Sequence, residues 1–380
     1  MLAGTRKIRL TQRASIHLDM ARGLAAFAVL ISHVRGFFFV PYHELNHHSM
    51  VISAIYAATS LGHQAVIVFF VLSGFFIVTT VVGSFRNRTW SWTVYLVNRI
   101  VRLSLVLIPA LFLCLLLDSI GMALPFTVAF YRHPVESVIS SSVASLETFR
   151  NFIGSFFYVQ GILAQPFGSD GPLWSLSYEF WYYILFPVVA CMLTRKLRLR
   201  ARIGYCAAAV SILFFIGPTI AVYFVIWLIG GVIAMMMLSG STQYRPGWAS
   251  AAAIVPLACV LSVSIERPLD SGFLMDSVVA AGFAICMYSL LEMPEKPIGT
   301  FYATFARHLA GFSYTLYLTH FPILFFIRAS IHQPMWRPDF LHLLYAAFIA
   351  AAAIVVAWSI AQVTEAKTSF VRRKILGLFP

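Results

Sequence analysis

Arg22 and His33 stand eleven residues apart in an otherwise apolar stretch. At about 100° per helical residue, eleven steps return to within about 20° of the starting face, with a rise of about 16 Å. One helix face would then carry a guanidinium near one end and an imidazole near the other. An imidazole titrates near neutrality and suits general acid–base work. A guanidinium forks onto phosphate or carboxylate oxygens. Asp19, three residues before Arg22, can pair with it along the helix. By position alone, His33 is as well placed to hydrogen-bond a neighbouring helix as to move a proton.

Other polar residues sit where few are expected. Arg99-Ile100-Val101-Arg102 puts two guanidiniums on adjacent turns at a helix entrance, which suits a phosphate or ordinary anchoring at a membrane face. Trp174-Ser175-Leu176-Ser177-Tyr178-Glu179 places a carboxylate a turn and a half past an aromatic residue, with no basic partner nearby in sequence. Ser73-Gly74 interrupts an aromatic run and permits close helix packing, and Tyr317 precedes His320 by three residues in another apolar segment. His43, His47 and His48 cluster, yet nothing supplies a fourth ligand at regular spacing, so no metal site is read there.

The elements that must position these groups are apolar helices. Hydrophobic residues make up 60% of the 380, and charged ones 11%. That is too little polar surface to face water on all sides, so much of the chain faces lipid. The fold class is all-α, a polytopic membrane protein of about ten transmembrane helices. Apolar windows place them at 18–40, 51–80, 103–123, 172–194, 203–218, 219–238, 249–265, 272–291, 310–330 and 340–363. Pro218 marks a tight turn between two of them.

The net charge of +13 is not one nucleic-acid-binding patch, because the basic residues recur as short clusters between apolar runs. With the N-terminus inside, the outer side holds only Arg35, Arg132, Arg150, Arg267, Arg328 and Arg337, and nearly all other basic residues fall inside. This bias predicts both termini in the cytoplasm: a basic tail over 1–17, a membrane domain over 18–365 and a basic tail over 366–380. Within 124–171, Phe152 to Leu163 reads as interfacial, re-entrant or two extra crossings, any of which preserves the other orientations. The five cysteines show no CxxC spacing, which argues against a disulfide framework or redox motif.

Six segments in order resemble the acyltransferase 3 family of bacterial membrane O-acyltransferases, the O-antigen and exopolysaccharide acetylase type. They are Leu18-Asp19 through Arg22 to His33; Phe69-Phe70-Val71-Leu72-Ser73-Gly74-Phe75; Arg99 with Arg102; Trp174-Ser175-Leu176-Ser177 to Glu179 and Pro187; Phe312-Ser313-Tyr314 to His320-Phe321-Pro322; and Thr364-Glu365. Met20, Ala21, Tyr178, Phe180 and Thr319 depart from the usual pattern without removing a reacting group.

The resemblance implies a multi-pass protein of the bacterial cytoplasmic (inner) membrane. It implies acyl-CoA, acetyl-CoA foremost, as donor substrate with no permanently bound cofactor, and a glycan or lipid-linked glycan as acceptor. It makes His33 and Glu179 the catalytic pair, His33 as base and Glu179 orienting the imidazole or the acceptor. Arg22, Arg99 and Arg102 would hold the donor. Ser73, Trp174, Tyr317 and His320 would line the substrate, Ser73 or His33 also being conceivable acyl carriers. A transporter of a glycan or small solute is the competing reading, since buried His and Glu serve carriers too.

Overall fold

The computed structural model describes residues 11–45, 47, 49–133, 142–239, 272–331 and 333–378. The expected span 249–265 and His48 lie outside the described residues. The described residues form helices and turns with no named strand, apart from isolated bridges at Phe39 with Trp336 and Gln160 with Ala164.

The first helix, α1, runs Gln12–Phe38. It begins inside the expected tail because Thr11 caps it, its side chain accepting from the Ala14 N–H at 3.0 Å. A short α2, Met50–Thr59, precedes α3, Gly62–Arg86. Ser91 caps α4, Trp92–Ala123, in the same way. Helix α4 starts well before the expected 103 and carries the Arg99 and Arg102 turns within it.

Residues 124–171 hold three short helices: α5, Val128–Arg132; α6, Val143–Leu146; and α7, Phe149–Phe156. At about 1.5 Å per residue the eight residues of α7 reach only about 12 Å, far short of the bilayer's about 30 Å. Among the described residues this region therefore holds no helix long enough to cross. Asn151, Ser155 and Gln160 are buried in it, and their hydrogen bonds to Leu146, Phe167 and Leu173 fold the chain on itself.

Helix α8 is Trp174–Leu193 and α9 is Leu199–Ser239. Helix α9 is interrupted at Gly217, whose φ of 77° and ψ of 171° are not helical. Such a φ suits glycine, and Pro218 follows as the start of a new helix. The chain doubles back there. Tyr205 receives a hydrogen bond from Trp92 at 3.1 Å, and the Leu238 carbonyl receives one from Arg86 at 2.7 Å. Phe85, Trp90 and Trp92 are in mutual ring contact, so Tyr205 and Leu238 sit at one level. A straight helix would separate them by about 50 Å. The two spans expected at 203–218 and 219–238 are thus the two arms of a hairpin that turns at Gly217.

Helices α10, Phe273–Leu291; α11, Thr300–Gly311; α12, Ser313–Ser330; α13, Phe340–Val363; and α14, Thr368–Leu376 complete the described set. Seven described segments are long and apolar enough to cross a membrane, and α11 with α12, bent by 53°, makes an eighth. Helix α13 buries Ala346, Ala350, Ala353, Ala357 and Ala361, one face at three- and four-residue spacing, and turns Phe348 and Trp358 outward. That pattern fits a helix at the rim of a bundle, facing lipid.

Helices α3 and the second half of α9 approach backbone to backbone. A Cβ at Gly74 would collide with the Trp227 carbonyl oxygen, and one at Gly230 with the Val71 carbonyl oxygen. Small residues at such crossings let main chains close on each other in a membrane. The pair fixes Ser73 against Trp227, whose indole is fully buried.

Candidate functional site

Helices α1, α3, α4, α8 and α12 converge on a chain of polar side chains. At one end the Nδ1 of His33 lies 2.9 Å from the Nε2 of His320. The rings stack with centroids 5.1 Å apart, and Phe321 packs edge-on against His33. The Nδ1 of His320 lies 2.9 Å from the Leu316 carbonyl and 2.8 Å from the Tyr317 carbonyl. Carbonyl oxygens only accept, so His320 carries its proton on Nδ1. In the neutral ring Nε2 is then an acceptor, and His33 must donate to it from Nδ1. That leaves the lone pair of His33 on Nε2, the atom a general base needs. His320 is buried, while His33 is partly accessible.

Tyr317 sits one turn before His320, ring centroids 6.1 Å apart. Its hydroxyl is 2.6 Å from Ser175 Oγ and donates to the Pro172 carbonyl at 3.2 Å. This ties α12 to the entrance of α8. Trp174, in the first turn of α8, packs on Tyr178 and Phe70.

Deeper along α8, Glu179 accepts a hydrogen bond from Tyr183, four residues on. Tyr183 also meets Ser73 at 3.2 Å, and Ser73 accepts from the Trp227 indole at 3.1 Å. Glu179 lies within electrostatic reach of Tyr317 as well as of Tyr183. The imidazole of His33 is held by His320 and not by Glu179. Ser73 joins the packing of α3, α8 and α9, with its hydroxyl committed to two neighbours.

At the other end Arg22 donates to Asp19 at 3.1 Å and to the Ala310 carbonyl at 3.5 Å. It lies within electrostatic reach of Arg102, Glu365 and Tyr183. The Arg99 guanidinium sits over the Tyr95 and Tyr183 rings, at 5.6 and 5.9 Å from their centroids. Glu365 reaches back from beyond α13 and accepts from the Thr315 N–H at 3.0 Å and hydroxyl at 2.9 Å. Arg22 Nε and Arg99 Nε are buried and have no hydrogen-bond partner. Arg22 and Arg102 therefore stand near Asp19 and Glu365, while Arg22 and Arg99 each keep a buried Nε donor unused.

The residues expected from sequence thus follow one path of neighbouring groups: Arg22, Arg99 and Arg102, then Glu179 held by Tyr183, then Tyr317, His320 and His33. Tyr183 was not singled out by sequence, although the i, i+4 spacing from Glu179 was readable. Among the described residues no three His, Cys, Asp or Glu side chains gather as metal ligands.

No curated protein and no solved structure matches the chain. Residues 16–362 match the acyltransferase domain family, acyltransferase 3, and this covers every segment of the path except Glu365. With more than half of its length matched, the chain belongs to the acyltransferase 3 family, and it is a multi-helix membrane acyltransferase.

Proposed function

We propose that this protein moves an acyl group, acetyl foremost, from acyl-CoA in the cytoplasm to a hydroxyl of a cell-surface or lipid-linked glycan. It would do so in the bacterial inner membrane, through ten crossings with both termini inside. The observation that carries the reading is the contact of His33 Nδ1 with His320 Nε2, from which the tautomer of His33 is assigned. A partly accessible imidazole with Nε2 unprotonated, at the far end of a path that begins at unused guanidinium donors, is arranged for base catalysis on a bound anion-bearing donor.

The chemistry follows in one exchange. Arg22, Arg99 and Arg102 hold the phosphates of the donor, a task for which forked N–H donors are suited. The pantetheine arm extends along α1 toward His33, and the rise of about 16 Å between Arg22 and His33 accommodates it. His33 Nε2 takes the proton of the sugar hydroxyl as its oxygen attacks the thioester carbonyl. The C–S bond breaks, and the leaving thiolate takes the proton back from the imidazolium. A hydroxyl is a weak nucleophile at neutral pH, and such assistance is worth about 10² to 10⁴-fold. Glu179 and Tyr183 line the arm's route, and Tyr317 with Ser175 borders the acceptor.

The test is transfer itself. Purified protein in nanodiscs is given acetyl-CoA labelled in the acetyl group, with glycan extracted from cells lacking the protein. Label in the glycan supports the reading. Movement of glycan across the bilayer without label supports a carrier instead and ends it.

A further inference from the structure

A second imidazole stands at the same end of the bundle. His63, in the first turn of α3, places Nε2 at 2.9 Å from each carboxylate oxygen of Asp276 on α10. Tyr223, on the second half of α9, donates to Asp276 Oδ2 at 2.6 Å. The Asp276 side chain is fully buried, whereas 31% of the His63 side chain is open. The neighbouring Gly62 lies against Ser32, the residue before His33, so this turn of α3 meets α1 at the depth of the base.

A carboxylate sealed among helices costs several kcal/mol unless it is neutralised, so such groups in membrane proteins tend to serve a site. Here donors from two other helices satisfy it. Because both carboxylate oxygens accept, His63 donates from Nε2, and Nδ1 keeps a lone pair that takes no hydrogen bond among the described residues. The open part of the ring therefore offers an acceptor, held in place by the carboxylate of Asp276. Trp174 faces His63 with ring planes 21° apart and centroids 6.5 Å apart. Tyr178 packs on Trp174 at 5.1 Å and on Tyr223 at 5.9 Å. A polar acceptor beside an aromatic face is what a pyranose requires, because the ring presents hydroxyl groups at its edge and C–H bonds on its faces. The C–H bonds are drawn to the negative face of an aromatic ring, and the hydroxyls to the acceptor.

We propose that His63, Asp276, Tyr223 and Trp174 form a second sugar subsite, which holds the unit next to the one acylated at His33. This rests on the reading of the acceptor as a glycan. His63 Nδ1 accepts a hydrogen bond from a hydroxyl of that unit, Trp174 lies under it, and Asp276 with Tyr223 keeps the imidazole in the required tautomer. An isolated interhelix tie would hold α3, α9 and α10 together without affecting how much glycan the enzyme needs.

The experiment uses the full chain in nanodiscs, labelled acetyl-CoA, and glycan from cells lacking the protein, with each substrate varied in turn. His63→Ala is expected to raise the glycan concentration for half-maximal transfer about tenfold or more while leaving the KM for acetyl-CoA within about twofold. His63→Gln, which still donates to Asp276 and still offers an acceptor, is expected to recover part of that loss. Trp174→Ala is expected to weaken glycan use in the same direction, and it gives the reading if His63→Ala does not fold. An unchanged glycan dependence in the folded variants, or an equal change for both substrates, overturns the subsite while the acyltransferase reading stands. Wild-type protein that transfers no label overturns that reading and the subsite with it.

Discussion

The Nε2 of His320 lies 2.9 Å from the Nδ1 of His33, across a sequence separation of 287 residues. Two carbonyls of its own helix hold the His320 proton on Nδ1, so a buried ring on α12 decides which nitrogen of a ring on α1 is free. Removing it frees His33 to adopt the other tautomer. His320→Ala is therefore expected to lower kcat about 10² to 10⁴-fold, as loss of an orienting partner does in other imidazole bases. The KM for acetyl-CoA should hold. His320→Gln, which restores an acceptor, should recover part of the rate. Steady-state rates with each substrate varied check this, and an unaltered kcat in His320→Ala would remove the orienting role.

His33→Ala should abolish measurable transfer, a loss of at least about 10² to 10⁴-fold. Arg22 and Asp19 remain paired in this variant, so donor binding should persist. Retained acetyl-CoA binding in equilibrium dialysis, with no labelled product, is the expected pair of results. Full activity would reject His33 as the base.

Arg99→Ala combined with Arg102→Ala should raise the KM for acetyl-CoA by about tenfold or more, since each lost charged hydrogen bond to a phosphate is worth about 1.5–3 kcal/mol. A donor truncated to acetyl-pantetheine carries no phosphate, and its rate should be alike in the variant and the parent. Equal losses with both donors would mean that the two arginines support the fold instead.

Gly74→Ala forces a Cβ into the Trp227 carbonyl, a main-chain atom that cannot swing aside. Overpacking of this sort costs about 1–3 kcal/mol or more. Thermal unfolding in detergent should shift down by several degrees, and Ser73→Ala, which leaves the buried Trp227 indole without its acceptor, should shift it in the same direction by less.

Much of the path was legible because lipid makes polar residues conspicuous. Arg22, His33, Arg99, Arg102 and Glu179 stood out from apolar neighbours, and helical spacing alone aligned the first two. The reach of Glu365 onto Thr315 and the pairing of His33 with His320 were not legible, because each joins helices whose relative rotation no single-helix period sets. Asp276 lay within the expected span 272–291 and His63 within 51–80, but neither was singled out, and neither pointed to the other without α3 and α10 side by side. The hairpin of α9 was read from Pro218, and Gly217 supplies the reversal. The extra-crossing option for 124–171 arose from composition, which cannot tell a moderately apolar cap from a short span.

The main-chain contact of α3 with α9 bears on which parts of the bundle can move against each other. Two backbones in van der Waals contact slide or part only by losing that contact along its whole length, so these helices behave as one plate carrying Ser73, Trp227, His63 and Tyr223. Helices α11 and α12 meet instead at a 53° bend, and His320 lies on the second of them. A change in that bend would alter the distance between His320 and His33, and with it the hold on the His33 tautomer.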